Sequence, residues 1–289
     1  MWRSIRVKRV GIIGGTGLYQ LPGLEVVEKK EVKTPFGNPS AALTVGLLGK
    51  QEVVFLPRHG ENHEKLPSEI QFRANIYALK SLGVTRTLSI SAVGSLREDL
   101  KPGDWVIPSQ YIDFTKGFRV PSFFGNGVTG HVSTALPVCH EFSDYVANSI
   151  QGFNSLHTNR TYLCVEGPRL GTQAESHLFR QWNADIVGMT ACPEVFLARE
   201  AQMNYLTLAI VTDYDCWRPQ TDDHVTVEKV IEQYKKSLST VMKWLASFFE
   251  NEIPSWEDSV ARTSTAGALM TPLEAMSGDQ RTWVQTLLL

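Results

Sequence analysis

Tyr205-Leu-Thr-Leu-Ala-Ile-Val-Thr-Asp-Tyr-Asp-Cys-Trp217 is the stretch that decides the fold. Its first seven residues are a largely apolar run of strand length, which reads as a buried strand. Two carboxylates follow just past it, Asp213 and Asp215. Two positions apart, they lie on one side of an extended segment. A carboxyl at the exit of a buried strand is costly to desolvate unless it has a partner or a task. A protonated carboxyl can donate to a ring nitrogen, and a second can accept from an exocyclic amine. Adenine offers those two groups side by side. The plainer reading is an Asp-rich turn with solvated side chains. The rest of the chain decides between them.

Outward from this run the pattern is strand, polar turn, helix. Val7–Ile13 reads as a first strand closed by Gly14-Gly15-Thr16-Gly17, and residues 18–40 read as irregular. Glu52–Pro57 is a second strand, followed by Arg58-His59. Pro67 opens a helix that Gly83 closes. Thr85–Ile90, Asp104–Pro108, Thr161–Val165 and Ala184–Gly188 read as further strands. Residues 140–151, 174–182, 193–203 and 226–249 read as helices. In the last of these, Val227, Val230, Ile231, Tyr234, Leu238, Val241, Leu245 and Phe248 recur at helical spacing, the pattern of a core-facing stripe. Residues 114–137, rich in Gly, Pro and Phe, read as a long functional loop. Residues 262–267 look like a linker, and Thr271-Pro-Leu-Glu274 like a capping-box restart. Alternating strands and helices predict a single α/β domain with a central mixed, largely parallel sheet flanked by helices. We place it at residues 1–253, with 254–289 as a C-terminal extension.

Bulk properties exclude several functions. The 289 residues carry a net charge of -2 and no run of like charges, so no nucleic-acid partner is expected. No apolar stretch is long enough to span a bilayer. Four cysteines, Cys139, Cys164, Cys192 and Cys216, show neither CxxC pairing nor metal-ligand spacing, which suits a reducing cytoplasm. The seven histidines include no zinc pattern, so no metal is expected.

The unusual polar residues fall at the ends of the expected strands: Thr16, Arg58 with His59, Ser91, Met189 with Thr190, and Asp213. In open α/β folds those ends form the ligand crevice. Gly14-Gly15-Thr16-Gly17 fits neither G-x-G-x-x-G nor a Walker loop, but it can offer backbone N–H groups and a hydroxyl to an oxyanion. Arg58 adds a guanidinium fork, His59 a further donor, Ser91 and Thr190 hydroxyls. One cation with several neutral donors suits a small exchangeable anion such as orthophosphate. A nucleoside triphosphate would call for a metal cluster or a Walker lysine.

At this point the chain resembles a known family. Gly11–Leu18, Thr34–Ser40, Arg58-His59-Gly60, Ala74-Asn75-Ile76, Gly94–Arg97, Pro102-Gly-Asp104, Glu166–Arg169, Ala174-Glu175, Gly188-Met-Thr190, Pro193-Glu194 and Thr212–Trp217 occur in the order seen in S-methyl-5'-thioadenosine phosphorylases, of the trimeric purine nucleoside phosphorylase branch. The resemblance runs from about residue 8 to about residue 250 and weakens beyond 254. It implies phosphorolysis of 5'-methylthioadenosine to adenine and 5-methylthioribose 1-phosphate. Phosphate would be a co-substrate, with no cofactor and no metal. It implies that Thr16, Arg58, His59, Ser91, Ala92 and Thr190 hold phosphate. Met189 would line the ribose, and Asp213 and Asp215 would face the purine, with Asp213 as general acid. Val227 and Val230 would form the methylthio pocket, and His131 would reach it from a neighbouring subunit of a homotrimer or dimer of trimers. Three positions depart from the family: Leu170, Gly171 and Gly188 stand where an aromatic, a small hydroxyl residue and an asparagine are common. Rival readings are the same chemistry on a 6-oxopurine such as 5'-methylthioinosine or inosine, a redox nucleotide-binding protein, and a hydrolase.

Overall fold

The computed structural model describes residues 9–15, 18, 21–219 and 226–289. Its centre is four parallel neighbours. β1 (Arg9–Gly14) lies between β4 (Gln51–Pro57) and β5 (Val84–Ser95), and β5 pairs in turn with β9 (Asn204–Asp213). β2 (Glu25–Lys30) and β3 (Leu43–Leu48) extend the β4 edge antiparallel. On the other side, β5 also pairs with β8 (Ile186–Gly188), β8 with β7 (Leu156–Val165), β7 with β6 (Trp105–Phe114), and β6 with β9. Because β5 holds both β8 and β9, those five strands close into a ring. The sheet is mixed with a parallel heart, as expected.

β9 is buried at all ten of its positions. Its side chains alternate between two cores because strand side chains alternate faces. Leu206, Leu208 and Ile210 join Val10, Ile12, Val53 and Phe55 in one core, under α2 (His140–Ser149) and α5 (Val227–Phe248). Tyr205, Ala209 and Val211 join Val54 and Leu56 in the other. That second core lies under α1 (Phe72–Ser81), α4 (Glu194–Glu200) and α6 (Gly278–Leu287). A third, small cluster of Leu96, Leu163, Phe179, Ala184 and Trp217 seats α3 (Gln173–Gln181).

Several elements differ from the sequence reading, each for a physical reason. Residues 18–40, read as irregular, contain β2. All six of its positions are exposed, so no alternating pattern marks it. β6 and β7 run longer than expected because they pair parallel and the polar half of each, Gln110–Phe114 and Leu156–Arg160, pairs with the apolar half of the other. β5 continues past Ile90 because it changes partner, so Ser91 sits inside a strand and not at its end. Pro67 opens only a 3-10 turn, Pro67–Glu69, and α1 begins at Phe72. The C-terminal helix starts at Gly278, where Ser277 and Gln280 cap each other; the Thr271 hydroxyl instead accepts from the Thr129 N–H at 2.8 Å.

The C-terminal segment is docked along its length. Arg86 donates to the carbonyls of Ile253 and Pro254, and Asn204 to that of Ser255. Residues 262–267, read as a linker, are a run of turns packed on the end of α4, where Ser264 donates to the Arg199 carbonyl at 2.6 Å. Trp283, Val284 and Leu287 complete the second core.

Candidate active site

The ends of β1, β4, β8 and β9 and the bend in β5 open on one cavity of about 360 Å³. Arg58, the first residue after β4, forms its most buried wall. Glu194, at the start of α4, takes Arg58 Nε at 2.8 Å and Nη2 at 3.0 Å, and both side chains are 1% exposed. Ser89 and Tyr205 also donate to Glu194 Oε1, at 2.6 and 2.9 Å. Burial alone would lower the pKa of Arg58; Glu194 reverses this and holds it above its ordinary range. Nη2 also donates to Ser89 and Nη1 to the Ile90 carbonyl. A guanidinium has five N–H donors. Four are thus used inside the protein, and the fifth is on Nη1, beside Gly15. A Cβ at residue 15 would come within 2.7 Å of the Ile90 carbonyl, so glycine is required for this close approach.

His59 adds a ring whose Nδ1 is 2.9 Å from the Lys65 carbonyl. A carbonyl only accepts, so Nδ1 carries the hydrogen. Burial pushes the pKa of this imidazole down to about 4, so it is neutral at neutral pH. Its Nε2 is then an acceptor, unlike the donor expected from sequence. Ser91, Ala92 and Thr190 line the same wall. The Tyr162 hydroxyl lies behind it, where a Cβ on Gly188 would overlap it. The glycine at 188 therefore follows from the tyrosine at 162.

The two aspartates line the same cavity beside Gly94 of β5. Asp213 Oδ2 is 2.6 Å from Thr212 Oγ1, and its Oδ1 accepts from the Asp215 N–H at 2.7 Å. Burial pushes the pKa of Asp213 up to about 6, with Asp215 adding to the effect. Asp215 also has a raised pKa, mainly through burial, opposed by a hydrogen bond from Ser176. That serine is placed by the first turn of α3, which Thr172 and Glu175 cap reciprocally. Gly94 permits the approach of both carboxyls: a Cβ there would be 3.0 Å from Asp213 Oδ1. Trp217 fixes the end of the turn, donating to the Ser95 carbonyl at 2.9 Å under the Arg180 guanidinium, 3.8 Å from its ring centre.

Sequence reasoning missed a second buried pair. Arg119, in the loop after β6, donates to Glu166 Oε1 and to the carbonyls of Met189 and Cys192, each at 2.7 Å. It ties that loop to the ends of β7 and β8. Nothing in the local sequence marks it, because its partners are distant and most of them are backbone carbonyls.

Of the residues singled out from sequence, Arg58, His59, Ser91, Ala92, Leu170, Gly171, Met189, Thr190, Asp213, Asp215 and Val230 line this one cavity. Thr16 lies outside the described residues, though Gly15 beside it lines the cavity. Val227, at the first turn of α5, is 56% exposed and does not line it. The expected apolar stripe of α5 is buried only from Tyr234 onward. His131 is exposed and away from the cavity, its N–H donating to the Ala268 carbonyl. Gly171 would place a Cβ 3.6 Å from Asp215 Oδ1, so its lack of a side chain leaves room beside that carboxyl. Among the described residues no three His, Cys, Asp or Glu side chains converge to hold a metal ion.

The sequence matches the Phosphorylase superfamily over residues 9–248. It is 44% identical over 284 residues to the S-methyl-5'-thioadenosine phosphorylase of Thermosynechococcus vestitus, covering 97% of this chain and 98% of that one. The chain belongs to the S-methyl-5'-thioadenosine phosphorylase family of that superfamily. A methylthioadenosine phosphorylase from an antarctic soil metagenomic library superposes with a TM-score of 0.89 at 44% identity, covering 98% of this chain and all (100%) of that one. The Schistosoma mansoni methylthioadenosine phosphorylase in complex with adenine gives 0.85 at 34% identity, covering 91% and 99%.

Glu194→Gln leaves the buried guanidinium without its counter-charge and turns an amide N–H₂ toward it. Removing one partner of a buried pair costs about 3 kcal/mol or more. Urea unfolding should show that loss; a change below about 1 kcal/mol would mean that the pair is not a structural keystone.

Proposed function

We propose that this chain catalyses the phosphorolysis of 5'-methylthioadenosine, giving adenine and 5-methylthioribose 1-phosphate. Family membership supports the reaction class. The observation that carries the reading is that one cavity is lined by a guanidinium, hydroxyls and two carboxyls with raised pKa. Phosphate sits against the Nη1 donor of Arg58, with the hydroxyls of Thr16, Ser91 and Thr190 and the Ala92 backbone. A neutral His59 accepts the hydrogen of a protonated phosphate oxygen. Met189 packs on the ribose, and Leu170 on the base. Asp213 protonates the purine at N7 as the glycosidic bond breaks, so the leaving group departs neutral. Asp215 accepts from the 6-amino group; a 6-oxopurine would put a carbonyl there instead. The anionic nucleophile faces the cationic sugar, and most of the rate comes from that alignment.

The reaction needs phosphate as co-substrate and neither metal nor organic cofactor. Residues 1–253 form the catalytic domain and 254–289 an extension docked on it. Four buried, unpaired cysteines suit a cytoplasmic setting. Among the described residues no helix is long and apolar enough to cross a membrane. The loop after β6 presents exposed Phe118 (77%), Val120 (51%) and Leu136 (45%). Such a patch fits a subunit interface. In a homotrimer, or a dimer of trimers, this loop would carry His131 to the neighbour's cavity, beside Val227 and Val230.

Adenine release from methylthioadenosine should require phosphate and yield a sugar 1-phosphate. Equal release in phosphate-free buffer would overturn the reading. Asp213→Asn should lower kcat on methylthioadenosine about 10²–10⁴-fold, the usual contribution of one positioned general acid; near wild-type turnover would show that Asp213 only binds. Sedimentation should give a trimer or a multiple of it, and a fully active monomer would exclude a shared site.

A further inference from the structure

Thr212 Oγ1 is 2.6 Å from Asp213 Oδ2 and 3.1 Å from the Val93 carbonyl oxygen. A threonine hydroxyl has one hydrogen. Two full hydrogen bonds at once, rather than one hydrogen shared between two acceptors, need a partner to bring a second hydrogen, and a carbonyl cannot. Asp213 Oδ1 faces the Asp215 N–H at 2.7 Å, which can only donate. That oxygen is fixed as an acceptor, so a proton on Asp213 belongs on Oδ2. We propose that in the ligand-free protein Asp213 donates from Oδ2 to Thr212 Oγ1, which donates on to the Val93 carbonyl. Thr212 is then a positioning residue that keeps the acid's proton on the correct oxygen. The inference rests on the reading of Asp213 as general acid.

The alternative wiring has Thr212 donate to an ionised carboxylate and leaves the Val93 carbonyl without that bond. The surroundings favour the protonated wiring. Asp213 is buried, which raises its pKa. Its charged neighbour is Asp215, with Glu175 of α3 and the Cys216 thiol beyond it. All three are acids. β5 brings Val93 and Gly94 to this spot and β8 brings Val187, none of them titratable. When the purine departs, the proton passes from Oδ2 to N7 and the electron pair of the glycosidic bond goes to the base. The Thr212 hydroxyl then turns from Val93 to donate to the new carboxylate. One side chain thus serves both protonation states, because a hydroxyl can accept or donate.

Thr212→Val keeps the shape and removes the hydroxyl; Thr212→Ser keeps the hydroxyl. Infrared difference spectra of ligand-free protein, wild type minus Asp213→Asn, should show a protonated-carboxyl C=O stretch below the pKa of Asp213. In Thr212→Val that band should shift as the carboxylic O–H loses its acceptor, and Thr212→Ser should restore it. No such band in wild type, or an unshifted band in Thr212→Val, overturns the proposal. This readout needs no turnover, so it stands apart from the assignment of the reaction.

Discussion

A guanidinium and a carboxylate sealed inside the protein, Arg58 and Glu194, set the terms for everything around them. Burying two charges is favourable only when they are paired and their remaining hydrogen-bonding capacity is met. Ser89 of β5 and Tyr205 of β9 meet it, so the pair binds the end of β4, two further strands and the start of α4 into one knot. The knot has a functional consequence. It uses four of the five N–H donors of Arg58 and leaves one at the cavity wall, a cationic donor in a fixed place. Such preorganised charge needs no rearrangement during a reaction.

In the same cavity, two chemically identical side chains stand in different environments. Asp213 is held between a hydroxyl and a backbone N–H, and burial favours its neutral form. Asp215 accepts from Ser176 beside the N-terminal turn of α3, where backbone N–H groups favour negative charge. Burial raises both carboxyls, and at Asp215 the hydrogen bond from Ser176 opposes the rise, which suits that carboxyl to accept. The short spacing from Asp213 to Asp215 makes this possible: the Asp215 backbone N–H bonds the first carboxyl while its side chain turns to α3. Its positive φ of 50° is one that aspartate tolerates better than most residues.

Much of this is legible in the sequence because strand ends in an α/β sheet point to one place. Apolar runs, and the polar residues just past them, are enough to assign Arg58, Ser91, Thr190 and Asp213 to one crevice. Glu194 stands within a recognisable motif, but its bond to a residue 136 positions away leaves no local sign. The same holds for Arg119 and Glu166. The exposed strand β2 lacks the periodicity that burial imposes. The first turn of α5 misleads in the other direction: Val227 continues the helical stripe but has no core to face among the described residues. The donor role expected of His59 reverses because one backbone carbonyl, that of Lys65, decides which ring nitrogen carries the hydrogen. No spacing rule reveals such a contact.

The source of the oxygen on the sugar product tests the role of the Arg58 wall most directly. Methylthioadenosine should be turned over by the wild-type protein in heavy-oxygen water with ordinary phosphate, and the sugar analysed by mass spectrometry. Attack by phosphate predicts a sugar 1-phosphate whose anomeric oxygen carries no solvent label. A free sugar with the label at its anomeric carbon would show that water is the nucleophile, and the assignment of the Arg58 wall to phosphate would be wrong.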